Sequence, residues 1–169
     1  MNYSICSLIA KDEPFLWQML YEAAHLEREG NLTVQDLMNH PDLAKYVKNW
    51  GHKDDSGFVA ILVSSNQPVG AAWLRLLTGE NKGYGYISDR TPELAIAILP
   101  EYQNQGIGTQ LLKYLLAAAK TSYPSISLSI RATNPAFALY QRLGFAVVPG
   151  SETINRVGGI SLKMKIDFS

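Results

Sequence analysis

The stretch Glu93-Leu-Ala-Ile-Ala-Ile-Leu-Pro-Glu-Tyr-Gln-Asn-Gln-Gly-Ile-Gly-Thr-Gln-Leu-Leu-Lys-Tyr-Leu-Leu116 has three parts. Residues 94–99 form a short apolar run that stops at Pro100, which predicts a buried strand. From Ile107 onward, Leu111, Leu115 and Ala118 recur at helical spacing, with Leu112 and Ala119 beside them, which predicts an amphipathic helix. Gln103, Gln105, Gly106 and Gly108 lie between. Two glycines at a helix start leave backbone N–H groups unshielded by side chains, so phosphate oxygens can come close. Strand, glycine turn and helix N-terminus together make a candidate pyrophosphate cradle.

Two common phosphate loops do not fit. A Walker loop ends in Gly-Lys-Ser/Thr, which is missing here. A dinucleotide fingerprint needs a third glycine where Leu111 stands. What remains is Gln-x-x-Gly-x-Gly directly after a strand.

Working outward, residues 3–9 predict an opening strand. Asp12 is a helix cap with Pro14 in the first turn, where its missing N–H costs nothing. That helix shows Leu16, Met19, Leu20, Ala23 and Leu26 on one face and stops near Gly30. Thr33 and Asp36 form a carboxylate variant of the capping box, and Pro41 breaks the helical region they open. Residues 58–64 and 69–77 predict a hairpin about Asn66-Gln67-Pro68. Residues 78–92 are long for a structureless loop, and loops of that length are often functional. Ser125–Arg131 is the next strand. Asn134-Pro135 opens a short helix that ends at Gly144, and residues 145–149 and 160–168 supply two last strands.

The whole chain, residues 1–169, has 47% hydrophobic residues and reads as one folded domain. Fifteen basic side chains balance fifteen acidic ones, which gives no electrostatic footprint for nucleic acid or membrane. Apolar runs are far shorter than the ~20 residues that span a bilayer, and no signal peptide is evident. The single cysteine, Cys6, cannot form an internal disulfide, and a cytoplasmic location fits. Cys6 is expected to pack in the first strand. His25, His40 and His52 show no metal-ligand spacing, so no metal site is expected.

A second motif stands after the fifth strand: Asn134-Pro-Ala-Phe-Ala-Leu-Tyr-Gln-Arg-Leu-Gly-Phe145. With the Gln-x-x-Gly-x-Gly turn ahead of it, in this order, the chain resembles the GNAT superfamily of N-acetyltransferases. The resemblance covers residues 58–148. It implies an α/β (α+β) GNAT fold: a mixed, largely antiparallel sheet of about seven strands flanked by helices, in the order β-α-α-β-β-β-α-β-α-β-β. Acetyl-CoA is implied as co-substrate. Backbone groups of Ile96, Ala97 and Ile98 would face the pantetheine arm and thioester. The segment Gln103, Asn104, Gln105, Gly106, Ile107, Gly108 and Thr109 would hold the pyrophosphate. Asn134 would contact the CoA arm, and the Tyr140 hydroxyl would protonate the leaving thiolate.

Each role has a structural rival. Tyr140 also fits as a core aromatic beside Leu143 and Ala136. Asn134 is explained as an N-cap. Gln103 stands where arginine is commoner in the family. Glu93 is a candidate base acting through water, and equally a candidate partner for Arg75. Arg75 shares a strand face with Trp73, so the two are also candidates for gripping a substrate carboxylate. Ser129 stands where some protein-acetylating members carry glutamate. The expected function is transfer of an acetyl group to a small-molecule amine. The alternatives are a protein or peptide N-acetyltransferase, and a non-catalytic acetyl-CoA-binding module. A homodimer is compatible with the family.

Overall fold

The computed structural model describes residues 2–24 and 32–168. His25, Leu26 and Gly30 lie outside the described residues. The fold is mixed α/β with largely antiparallel strands, and it divides into two compact units.

The first unit comprises Met1–Arg75 with Ala95–Ala118. Strand β1 (Tyr3–Ser7) pairs antiparallel with β2 (Ser56–Leu62), and β2 with β3 (Pro68–Arg75). The hairpin turn puts Asn66 at φ 59°, a left-handed position that asparagine tolerates. The register shifts between Ala60 and Ile61, a bulge the sequence pattern does not announce. Helix α1 (Glu13–Ala23) starts after Asp12 as expected, but the Asp12 side chain makes no capping bond to it and instead closes the short turn ahead of it. Asp12 receives the Ile9 N–H at 2.8 Å, and Pro14 sits in the first turn. Helix α2 (Val34–Met38) carries the predicted box: Thr33 Oγ1 accepts from Asp36 N–H at 3.1 Å, and Asp36 accepts from Thr33 N–H at 2.8 Å. Helix α3 (Pro41–Ala44) begins at the predicted proline break. Glu13 ties these segments together, accepting from Trp17 Nε1 and from the Trp50 N–H, each at 3.1 Å.

Strand β4 (Glu93–Ile98) and helix α4 (Ile107–Ala119) follow. Ile107, Leu111, Leu112 and Leu115 of α4 are buried, each worth ~1.5–3 kcal/mol of hydrophobic stabilisation. The buried stripe closes on Ala119. Ala118, expected on that face, is exposed because the stripe runs in steps of four.

The second unit comprises Leu76–Leu94 with Ala119–Ser169. The start of β4 pairs parallel with β5 (Ser125–Arg131) through one register pair, Glu93 with Ser127. Strand β8 (Ile160–Asp167) runs antiparallel to β5 along its whole length, and β6 (Ala146–Val147) joins the other side of β8. Helix α5 (Phe137–Arg142) precedes β6. A two-residue strand, β7 (Thr153–Ile154), also pairs with β8 and brings the total among the described residues to eight, in keeping with the expected sheet of about seven. Ile126, Leu128, Ile130, Tyr140, Phe145 and Met164 form the buried core of this unit.

One further expectation is corrected. Cys6 lies on β1, but its side chain is exposed on the same face as Ser4 and does not pack.

Candidate active site

In the sheet order β4 follows β3, and the chain leaves it through a tight turn. Leu99 N–H is held by the Val69 carbonyl at 2.8 Å, which anchors the strand end to β3. Gly70 is needed for this approach: a Cβ there would stand 2.5 Å from Ile98 Cδ1 and 3.2 Å from the Ala97 carbonyl. The two glutamines brace the turn from inside. Gln103 Nε2 donates to the Ile98 carbonyl at 3.0 Å, and Gln105 Nε2 donates to the Glu101 carbonyl at 3.3 Å. Their side chains hold the loop's shape rather than reach outward.

The turn then bends through Asn104 (φ 60°) and Gly106 (φ 84°) into α4. Gln110 is the first helical residue whose N–H closes back, onto the Gly106 carbonyl at 3.2 Å. Among the described residues, none accepts a hydrogen bond from the N–H groups of residues 104–109. A Cβ at Gly106 would meet nothing within 4 Å, so its backbone borders open space. A Cβ at Gly108 would lie 3.9 Å from both Ile96 Cδ1 and Ile98 Cγ1, so the helix start rests on the β4 residues expected beside it. Six free amides next to a positive helix end fit the donor requirements of a diphosphate. The structure thus brings Ile96, Ile98 and the 103–109 segment together in one unit.

Arg75 and Trp73 belong to the same unit but face inward. Trp73 is fully buried and donates through Nε1 to the Tyr46 carbonyl at 3.0 Å. Arg75 directs Nε and Nη2 at the Asp55 carboxylate, and Nη1 and Nη2 at the carbonyls of Lys45, Lys48 and Asn49. A guanidinium has five N–H donors, and all five are engaged. The expected partner Glu93 is therefore corrected to Asp55, and no donor remains for a substrate carboxylate.

Glu93, Asn134 and Tyr140 lie in the second unit. Glu93 is only 2% exposed, and its two oxygens accept from Gly83 N–H at 2.9 Å and Gly85 N–H at 2.8 Å. Asn134 Oδ1 accepts from Ala136 N–H at 2.8 Å, so it caps the turn ahead of α5, and the helix proper starts at Phe137. Tyr140 is buried and makes an edge contact with Phe145 at 5.6 Å between ring centroids. Burial pushes its phenol far above the ordinary value, so it stays protonated at neutral pH. Sequence reasoning missed Asp55 and the two loop glycines, because each acts through a partner distant along the chain.

No helix among the described residues is long and apolar enough to cross a membrane. The description "Acetyltransferase (GNAT) family" matches residues 10–145. Mycothiol acetyltransferase of Arthrobacter sp. is 28% identical over 150 residues, which cover 85% of this chain and 42% of that protein. The ribosomal protein bS18-alanine N-acetyltransferase of Escherichia coli is 39% identical over 61 residues, covering 35% of this chain and 41% of that one. The chain thus matches less than half the length of these relatives. A solved spermidine N-acetyltransferase chimera from Vibrio cholerae superposes with a TM-score of 0.68 at 21% identity, covering 99% of this chain and 96% of its own. On the strength of the family match across residues 10–145, the chain belongs to the acetyltransferase (GNAT) family.

Proposed function

We propose that this protein is an acetyl-CoA-dependent N-acetyltransferase that acts by direct transfer to a small-molecule amine. The observation that carries the reading is the run of unpaired amides at 104–109, placed where β4 gives way to α4. Bound acetyl-CoA supplies an activated acyl group: the amine nitrogen forms a bond to the thioester carbon, the carbon–sulfur bond breaks, and the proton lost by the amine passes to solvent water. The amides of Asn104, Gln105, Gly106, Ile107, Gly108 and Thr109 bind the pyrophosphate. Backbone groups of Ile96, Ala97 and Ile98 orient the pantetheine arm and polarise the carbonyl. Tyr140 holds the proton that the departing sulfur requires, and its burial keeps that proton in place until it is needed. Asn134 completes the CoA contacts through groups left over from its capping bond.

The relatives favour a second acceptor as well. One is named for mycothiol, one for an alanine of ribosomal protein bS18, and the solved neighbour for spermidine. A peptide α-amine is the runner-up. Ser129, exposed on β5, takes the place of the glutamate found in some protein-acetylating members and tips the choice toward small molecules.

The test is steady CoA release from acetyl-CoA over a panel of amines that includes spermidine, amino sugars, amino acids and an alanine-initiated peptide. Turnover with a small amine and not with the peptide supports the proposal. Turnover with the peptide alone moves the acceptor to proteins. Acetyl-CoA binding without turnover on any amine points to a non-catalytic acetyl-CoA-binding module.

A further inference from the structure

The segment between β3 and β4 is a loop in the sequence but not a loose one in the second unit. From Gly83 to Thr91 it is fastened at several points to strands β4, β5 and β8. Glu93 of β4 receives the N–H groups of Gly83 and Gly85. Lys163 of β8 donates through Nζ to the Tyr86 carbonyl at 2.6 Å. Thr91 Oγ1 lies 2.6 Å from Ser125 Oγ of β5 and 3.0 Å from Ser88 Oγ. Gly85 lies flat on β5: a Cβ there would stand 2.8 Å from the Leu128 carbonyl carbon and 3.0 Å from the Ser129 nitrogen. Both figures lie at or inside the closest approach of real Cβ atoms, and both neighbours are backbone. Lys163 is the register partner of Ser129, so two fasteners converge on one spot of the sheet.

We propose that residues 83–91 are a strap forming a wall of the acceptor site, and that Glu93 is the positioning residue that holds it rather than the proton acceptor of the reaction. Glu93 opens the same strand whose residues 96–98 are assigned to the thioester, so the strap is tied to the reacting segment through β4. Both carboxylate oxygens take part in this task. Each oxygen already receives an amide N–H, and a proton arriving there would put an O–H among those donors and weaken a strap bond at every turnover. A base acting through water needs access to solvent, whereas this side chain is 2% exposed. The inference rests on the acetyltransferase reading for the word acceptor, and on the hydrogen bonds alone for the strap.

Lys82 and Arg90 are exposed at the two ends of the strap, so trypsin reads its opening directly. Three variants loosen it from three sides: Glu93→Gln, Gly85→Ala and Lys163→Met. Cleavage after Lys82 or Arg90 should rise about tenfold or more in each, because proteolysis follows the population of the open form. With spermidine and an alanine-initiated peptide as acceptors, acceptor KM should rise about tenfold while kcat stays within about threefold and acetyl-CoA affinity holds. The acidic limb of the pH–rate profile should keep its position. A purely structural role would lower melting without this split between the two substrates. Unchanged cleavage in all three variants overturns the strap. A hundredfold loss of kcat in Glu93→Gln, with the acidic limb gone and cleavage unchanged, makes Glu93 the base and overturns the proposal. If the wild-type protein acetylates neither amine, the acetyltransferase reading fails for those acceptors, and the cleavage rates still decide whether Glu93 holds the strap.

Discussion

Arg75 and Asp55 meet in a bidentate ion pair, Nε to Oδ1 at 3.1 Å and Nη2 to Oδ2 at 3.0 Å, with both side chains buried. Asp55 also receives the N–H groups of Gly51 and His52, at 3.0 and 2.9 Å. Arg75 meanwhile gathers the carbonyls of Lys45, Lys48 and Asn49. One pair thus fastens the chain between α3 and β2 onto β3. Removing one partner of such a pair strands a buried charge, so Asp55→Asn should cost ~3–5 kcal/mol. Arg75→Met in the same protein should restore part of that loss in a double-mutant cycle read by urea unfolding. Arg75→Lys should behave like a loss, since a point charge cannot bridge both carboxylate oxygens and three carbonyls. Additive effects would show that the pair carries no coupling.

The amide cradle makes a prediction that needs no acceptor. Acetyl-CoA should raise the melting temperature with the logarithm of its concentration, worth about 2.7 kcal/mol at a hundred times Kd. Gly108→Ala should leave the free protein's melting unchanged, because its Cβ meets Ile96 and Ile98 at 3.9 Å, an ordinary contact. Gly108→Glu should also fold, yet lose the acetyl-CoA shift, since it places a negative charge at the helix start. A folded Gly108→Glu protein with an undiminished shift would remove the cradle from the binding site.

What was legible in the sequence was local. Pro14 in the first turn of α1, Thr33 with Asp36, the break at Pro41 and the glycines at 106 and 108 each act on backbone within four residues, so their spacing specifies the geometry. Strand β5 was equally readable, from the alternation of Ile126, Leu128 and Ile130 with serines. Arg75 was not, because its partner lies 20 residues back, across a turn whose course depends on the pair itself. Pairing it with Glu93 followed strand order, which says nothing about which turn folds over a strand face. The same blindness hid the strap: Gly83 and Gly85 look like loop spacers until Glu93 and β5 are in place. Strand β7 is two residues long and exists only through its pairing with β8.

Tyr140 carries two separable predictions. Tyr140→Phe keeps the packing against Phe145 and removes only the hydroxyl. As the general acid it should lower kcat by about 10²–10⁴-fold with acetyl-CoA affinity unchanged. The second concerns alkali. Burial raises the folded phenol above its ordinary value of 10.0, so the folded state holds a proton that the unfolded chain releases. That stability is fully present below pH 10 and is lost as pH rises toward the folded value. Between pH 9 and 11 the wild-type protein should therefore lose stability faster than Tyr140→Phe, in parallel urea titrations. Equal slopes would mean that the phenol titrates freely and is not the buried acid.

Ser127 offers a test of the ground beneath Glu93. It is the register partner of that residue, fully buried, with its backbone N–H given to the Pro92 carbonyl at 3.0 Å. Its Oγ, however, has no hydrogen-bond partner among the described residues. A buried hydroxyl left unpaired costs ~1–3 kcal/mol, and replacing it with a group of similar shape that needs no partner recovers part of that cost. Ser127→Ala should therefore stabilise the protein by up to ~1 kcal/mol, which at this chain length is a rise of about 2–4 °C in Tm. Tryptic cleavage after Lys82 should not change, because the bonds from Glu93 to Gly83 and Gly85 do not involve the hydroxyl. A fall in Tm of the same size would show that the hydroxyl stabilises the fold and is not an unpaired cost. Faster strap cleavage alongside that fall would show that Ser127 supports the strap through the ground beneath Glu93.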